Sequence, residues 1–276
     1  MLLQNKNAII YGAGGSLGST IAKAFAKEGA RVFLSGRHLH SVKKVADEII
    51  ASGGKAEAAE VDAMDENAVN EYIDEVLKQA GRLDISFNLI DLQVVQNMPL
   101  TDMQMADFVR PVAIAAQSHF LTDVAAARVM MKQGSGVVLS LTATPGGIGY
   151  PGVAGFGPAC CAMECLSRNL ASEVGQYGVR AVNIRSGGSP DSGVFKQAIE
   201  SMPEEMKVVL GEMEADTMLK KLPLMADIAN LAVFLASDLA NKITGVTVDV
   251  TCGTTAGLNY KSTDLTGDKK IQTLKT

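Results

Sequence analysis

NAIIYGAGGSLGSTIAKAFAKEGA, residues 7–30, sets a short apolar run beside a glycine turn and a stretch of helical periodicity. NAIIYG (7–12) reads as a strand, and SLGSTIAKAFAKEGA (16–30) as a helix that ends at Gly29. Gly12, Gly14 and Gly18 lie at the junction. Such a turn lets the backbone come close to a pyrophosphate. The helix behind it offers free N–H groups and the positive end of its dipole. A glycine turn alone is weak evidence. It gains specificity as the first strand-to-helix turn of a chain that keeps alternating.

The alternation does continue. RVFLSG (31–36) is a second strand, 41–54 a helix, and 55–63 holds a third strand. A helix over 66–81 has apolar residues at 69, 72, 73, 76 and 77, and a fourth strand covers 83–90. A long helical region follows at about 102–132, then a strand at 136–142, a helix at 156–175 and a strand at 179–188. Residues 190–224 are weakly helical and broken by Pro190, Pro203 and Pro223. A helix over 225–240 and a strand over 245–251 complete the pattern. It predicts an α/β chain with a Rossmann-type, doubly wound, mostly parallel seven-stranded sheet and helices on both faces. One dinucleotide-binding domain is expected over 1–260, with a polar tail at 261–276.

The chain has 276 residues, 47% hydrophobic and 20% charged, with a net charge of −5. Without a basic stripe, no nucleic-acid partner is expected. No apolar run reaches the roughly 18 residues of a membrane span, so no membrane partner is expected either. MLLQNKNAIIYG, the N-terminus, has Lys6 in its middle and no small-residue cleavage site, unlike a signal peptide. Cys160, Cys161, Cys165 and Cys252 have the spacing of neither a zinc site nor a disulfide framework. Free thiols in a reducing cytoplasm and no metal are the expectation.

In such a sheet the end of the second strand selects the dinucleotide. A carboxylate there binds the adenosine ribose hydroxyls and repels a 2′-phosphate. FLSGRH (33–38) has no acid, and Arg37 follows Gly36 directly. A guanidinium clamps a phosphate with two donors, and the Ser35 hydroxyl stands beside it. NADP(H) is therefore favoured over NAD(H). A solvated surface arginine is the alternative.

The glycine turn resembles that of the short-chain dehydrogenase/reductase family, whose signature is T-G-x-x-x-G-x-G. Here Tyr11 replaces the threonine and Ser16 the penultimate glycine, while Gly12 and Gly18 are kept. The resemblance runs over about residues 5–253. EVDAMDE (60–66) resembles the family's segment that places Asp62, with Ala63, near the adenine. Asn88 is what remains of an N-N-A-G motif, and Gly187 of a P-G pair in which Ser186 replaces the proline. MADIANLAVFLASDLANKITGVTVDVTCG (225–253) matches the family's last helix and strand. The resemblance implies a dinucleotide held by Gly12, Gly14, Ser16, Leu17, Gly18, Ser35, Arg37, Asp62, Ala63, Asn88 and Gly187. It also implies a substrate lid at 190–224. It further implies a homodimer or homotetramer packed through the helices at 102–132 and 156–175.

The family's chemistry uses a Tyr-x-x-x-Lys pair one helical turn apart, a serine about 13 residues upstream and an asparagine on the preceding helix. These positions fall on Phe156 and Cys160, on Ala143 between Thr142 and Thr144, and on Ala115 or Ala116. No Tyr-x-x-x-Lys occurs in 130–180. General acid–base catalysis contributes about 10²- to 10⁴-fold, and phenylalanine has no proton to give. Tyr150 is the first candidate for a relocated acid, and Thr142 for orienting a substrate oxygen. Both also have structural explanations: an aromatic packed on a glycine-rich loop, and β propensity at a strand end. His119, one turn past Ala115, either faces the cleft or is a satisfied buried histidine. Cys160 is a nucleophile only if its pKa is lowered. Two functions are expected. One is an oxidoreductase with a non-standard proton donor, acting on a small, partly apolar carbonyl or activated alkene. The other is a catalytically silent relative that binds nucleotide and oligomerises.

Overall fold

A computed structural model of the chain describes residues 1–256. Seven strands form one sheet: β1 (Asn7–Tyr11), β2 (Arg31–Gly36), β3 (Lys55–Glu60), β4 (Ile85–Asn88), β5 (Gly136–Ala143), β6 (Val179–Ser186) and β7 (Thr247–Val250). Their order is β3-β2-β1-β4-β5-β6-β7, and every neighbouring pair is parallel. Sequence order reverses between β1 and β4. There the connections leave in opposite directions and open a crevice at the carboxyl ends of the strands.

The helices are α1 (Ser16–Lys27), α2 (Leu39–Ala51), α3 (Glu66–Ala80), α4 (Met105–Gln133), α5 (Phe156–Val174), α6 (Gly193–Ser201), α7 (Pro203–Ala215) and α8 (Met225–Ala236). Two apolar layers cover the sheet. Ile10 and Leu34 pack with Phe25 of α1, Val42 of α2 and Val233 of α8. Ile9 and Phe33 pack with Ile73 of α3 and with Ala126 and Met130 of α4. Alternate residues of one strand thus feed opposite layers, which is why central strands read as unbroken apolar runs. This is the expected Rossmann-type doubly wound α/β fold.

Local chemistry sets the ends. Asp65 caps α3 by accepting from the Asn67 and Ala68 N–H groups at 2.8 and 3.2 Å. β4 stops at Asn88 because its Oδ1 accepts the Ile90 N–H at 3.1 Å and turns the chain out of the sheet. The structure departs from the sequence expectations mainly at such ends. α1 closes at Lys27, and Gly29 makes the turn at φ +94°. The 190–224 segment resolves into α6 and α7, broken where Pro203 opens α7 without an N–H to give. Residues 257–260 and the expected tail at 261–276 lie outside the described residues. Among those described, no helix is long and apolar enough to cross a membrane.

Candidate active site

A cleft of about 680 Å³ opens at the topological switch point. The turn after β1 supplies Gly12, Gly14, Ser16, Leu17 and Gly18, the end of β2 supplies Ser35 and Arg37, and the residues after β3 supply Asp62 and Ala63. Nine of the eleven expected nucleotide residues meet here. Gly12 has φ +74°, and a Cβ on it would lie 2.5 Å from the Leu89 carbonyl oxygen. The turn can therefore be made only by glycine, and it leaves a bare backbone cradle. α1 begins behind it with no side-chain cap and no acid in its first turn, so its leading N–H groups are free for an anion. The Ser35 hydroxyl is fully buried with no partner. Arg37 has no ion pair among the described residues. An uncapped helix end, a glycine cradle and an unspent hydroxyl beside a guanidinium fit a dinucleotide.

α6 lies across the mouth of this cleft. Its Gly193 N–H donates to the Ser16 hydroxyl at 3.0 Å, and Val194 and Gln197 join the lining. A second cleft of about 570 Å³ continues from the first and shares Leu17, Ile90 and Val194 with it. Asn88 lines this second cleft, its Nδ2 donating to Thr122 Oγ1 at 3.1 Å. Gly187 lines neither cleft. Its N–H donates to the Val250 carbonyl at 2.9 Å, and a Cβ on it would lie 3.2 Å from the Pro223 ring and 3.4 Å from the Thr251 Cα.

The catalytic candidates separate. Ala143 and Phe156 line the second cleft beside Thr142, Met163 and His119. Cys160, one turn past Phe156, is fully buried. Burial pushes its thiol up to about 12, against a smaller opposite pull from the Ala143 backbone. It is no nucleophile at neutral pH. The Thr142 hydroxyl is already engaged: it donates to Glu164 Oε1 at 2.9 Å and accepts from Asn183 Nδ2 at 2.7 Å. Tyr150 is 39% exposed and lines neither cleft. Partial burial and then the Asp216 carboxylate at the end of α7 raise its pKa. Holding the proton more tightly, and standing outside both clefts, it lacks the access its expected role requires.

Sequence reasoning missed the ion network beneath this site. Arg185 on β6 donates to Glu164 on α5 through Nε at 3.0 Å and Nη2 at 2.6 Å, and to Asp249 on β7 at 3.1 Å. The bonded Glu164 carboxylate is the main reason the Arg185 pKa is raised. Ser140 and Asn183 extend the chain of bonds across β5 and β6. Gly146 and Gly147 pack against Glu164 and the Arg185 guanidinium, where any side chain would collide. Nothing in residue spacing joins positions 164, 185 and 249. The one available signal was an arginine at an inward register position of a buried strand. The second omission is a pair on α4. His119 Nδ1 lies 3.1 Å from Asp123 Oδ2, both residues buried, at an i,i+4 spacing that was visible in the sequence. Among the described residues no cluster of His, Cys, Asp and Glu is arranged to hold a metal ion.

Known proteins are similar to this chain in sequence and in fold. The family model described as enoyl-(acyl carrier protein) reductase matches residues 12–255. The 7alpha-hydroxysteroid dehydrogenase of Escherichia coli K12 is 31% identical over 259 residues, covering 93% of this chain and 97% of the relative. Gluconate 5-dehydrogenase of Gluconobacter oxydans is 26% identical, with 93% and 97% covered. Levodione reductase superposes with a TM-score of 0.85 at 25% identity, over 93% of this chain and all of the other. An NAD+-bound xylitol dehydrogenase, at 24% identity and a TM-score of 0.85, shares the fold. A match that runs from the glycine turn through β7, on a sheet of this order with its crevice at the switch point, places the chain in the short-chain dehydrogenase/reductase family of oxidoreductases.

Proposed function

We propose that the protein is an NADP(H)-dependent oxidoreductase that interconverts a small, partly apolar carbonyl compound and its alcohol, using a proton donor other than the family's tyrosine. The observation that carries this reading is the cradle beside β2. There the buried, unpartnered Ser35 hydroxyl and an Arg37 without an ion pair border the first cleft. The one acid in register with Gly36 is Glu60, whose carboxylate accepts the Leu39 N–H at 3.2 Å. A 2′-phosphate would meet a guanidinium and a hydroxyl there. When bound, the dinucleotide supplies or accepts a hydride. Gly12, Gly14, Ser16, Leu17 and Gly18 would hold its pyrophosphate, Asp62 and Ala63 its adenine, and Asn88, which lines the second cleft, would border the nicotinamide end, whereas Gly187 stands outside both clefts.

Carbonyl chemistry is supported by the relatives, whose names denote hydroxysteroid and gluconate dehydrogenases. The apolar lining of the second cleft by Leu92, Leu141, Phe156 and Met163 supports a partly apolar substrate. Phe156 and Cys160 at one-turn spacing support the absence of the family's Tyr–Lys pair. The same reading includes a homodimer or homotetramer. Phe120 is 53% exposed on α4, beside an apolar groove that Leu121 shares with Ala162 and Leu166 of α5.

Calorimetric titration tests the cofactor. NADPH is expected to bind more tightly than NADH. Arg37→Ala is expected to weaken NADPH by about 10- to 100-fold, the worth of one charge-assisted contact, and to leave NADH within threefold. Equal affinity for the two nucleotides in the unaltered protein refutes the preference. Binding of neither refutes the whole reading.

A further inference from the structure

We propose that His119, oriented by Asp123, is the proton donor of the second cleft. The inference rests on the reading above and names the acid that reading leaves open. His119 and Asp123 share one face of α4, and the bond between Nδ1 and the carboxylate fixes which ring nitrogen is free. Nε2 has no hydrogen-bond partner among the described residues, and the side chain, 4% exposed, reaches the surface of the second cleft. His119 lines the cleft together with Asn88, Thr142, Ala143 and Phe156.

Asp123 has a polar neighbour of its own. Thr122 Oγ1 lies 3.3 Å from its Oδ1, accepts from Asn88 Nδ2 at 3.1 Å and donates to the Ser118 carbonyl at 2.9 Å, so the residue beside the dyad is tied to the end of β4. The carboxylate on Nδ1 offsets the positive charge the ring carries whenever Nε2 also holds a proton. The other ionisable groups around it leave the role open. Tyr11 on β1 keeps its proton, first through burial and then through the Asp123 charge. Glu164 on α5 is spent on Arg185. Asp91, exposed on the segment after β4, accepts the Gln93 N–H.

The step balances. As a carbonyl carbon accepts a hydride, with its electron pair, from a dihydronicotinamide, the His119 Nε2–H bond breaks. Its proton forms the O–H bond on the former carbonyl oxygen. The N–H electron pair stays on the imidazole, which is left neutral, and solvent in the open cleft restores the proton.

Histidine 15N NMR and kinetics test the assignment together. The chain has three histidines, and His119→Gln identifies the resonance. Saturating NADP+ is expected to move the His119 Nε2 signal and to leave that of His40 in place. With a carbonyl substrate found by NADPH oxidation, His119→Gln is expected to lower kcat by 10²- to 10⁴-fold while the nucleotide Kd stays within twofold. Asp123→Asn, which keeps the histidine and loses its charge partner, is expected to lower kcat less and to change the His119 tautomer signature. Retained kcat in folded His119→Gln overturns the proposal. So does a His119 signal indifferent to bound nucleotide, and so does a protein that binds nucleotide but turns over no carbonyl. Failure of the unaltered protein to bind either nucleotide overturns the underlying reading instead, and is distinguishable on that ground.

Discussion

Replacing Glu164 by glutamine is the sharpest test of the ion network under the site. The change is nearly isosteric and removes one charge. It leaves the Arg185 guanidinium, whose side chain is 15% exposed, with Asp249 as its remaining carboxylate at 3.1 Å. Removing one partner of a buried ion pair costs about 3–5 kcal/mol. Arg185 keeps a second carboxylate and some water, and Thr142 keeps an acceptor in the amide oxygen, so the cost falls just below that range, at about 2–3 kcal/mol. In a chain of this size that lowers Tm by roughly 4–9 °C. Urea denaturation at pH 7, followed by circular dichroism, reads the loss directly. Asp47→Asn is the control, because its partner Lys43 is exposed and such pairs are worth about 0.5 kcal/mol or less. A second check is Glu164→Leu with Arg185→Met, which removes both charges and is expected to recover most of the loss. If Glu164→Gln costs no more than Asp47→Asn, the network does not hold α5 to the sheet and the reasoning fails.

Gly12→Ala is expected to cost about 2–4 kcal/mol, from a left-handed backbone and a Cβ 2.5 Å from the Leu89 carbonyl; nucleotide titration and a urea melt check it, and a stable, binding variant refutes the cradle. Iodoacetamide at pH 8, followed by peptide mass mapping, is expected to spare buried Cys160 and to label Cys161 and Cys165, exposed in the single chain, more fully when the α4–α5 face is uncovered. Because folding raises the Cys160 pKa to about 12, its contribution to stability is complete below about pH 8.5 and is lost as pH rises toward 12. The stability advantage of the unaltered protein over Cys160→Ala should therefore shrink across that window, and a constant difference contradicts the assignment. Phe120→Glu places a charge on the exposed face of α4 and is expected to reduce the proposed oligomer to a smaller species in sedimentation, with the far-ultraviolet spectrum unchanged; a sedimentation coefficient that does not change refutes that interface.

The fold was legible because its signals are local and repeated. Each strand of the β1 type is an apolar run, each helix shows its own periodicity, and Gly12 announces a turn that no other residue can make. The lining of the first cleft was legible for the same reason, since most of it comes from short segments just past β1, β2 and β3. The rest of the site depends on pairs far apart in sequence. Thr142 looked free until Glu164 and Asn183 were seen to occupy its hydroxyl. Tyr150 looked near the cleft because its loop precedes α5, yet loop proximity in sequence does not set the direction of a side chain. His119 and Asp123 were readable as an i,i+4 pair. Their significance came only when α4 crossed the end of β4 and carried them to the cleft wall.

The bond between Ser16 and Gly193 joins positions 177 residues apart. It gives the strap over the nucleotide cleft a kinetic consequence. A ligand seated beneath Gly193, Val194 and Gln197 is expected to leave faster once that bond opens, which makes escape a conformational event. Ser16→Ala should then quicken both capture and escape in stopped-flow fluorescence, the faster capture separating an opened strap from the mere loss of a pyrophosphate contact. Residence time in this protein is thereby expected to be set by a serine that stands in the family's glycine position.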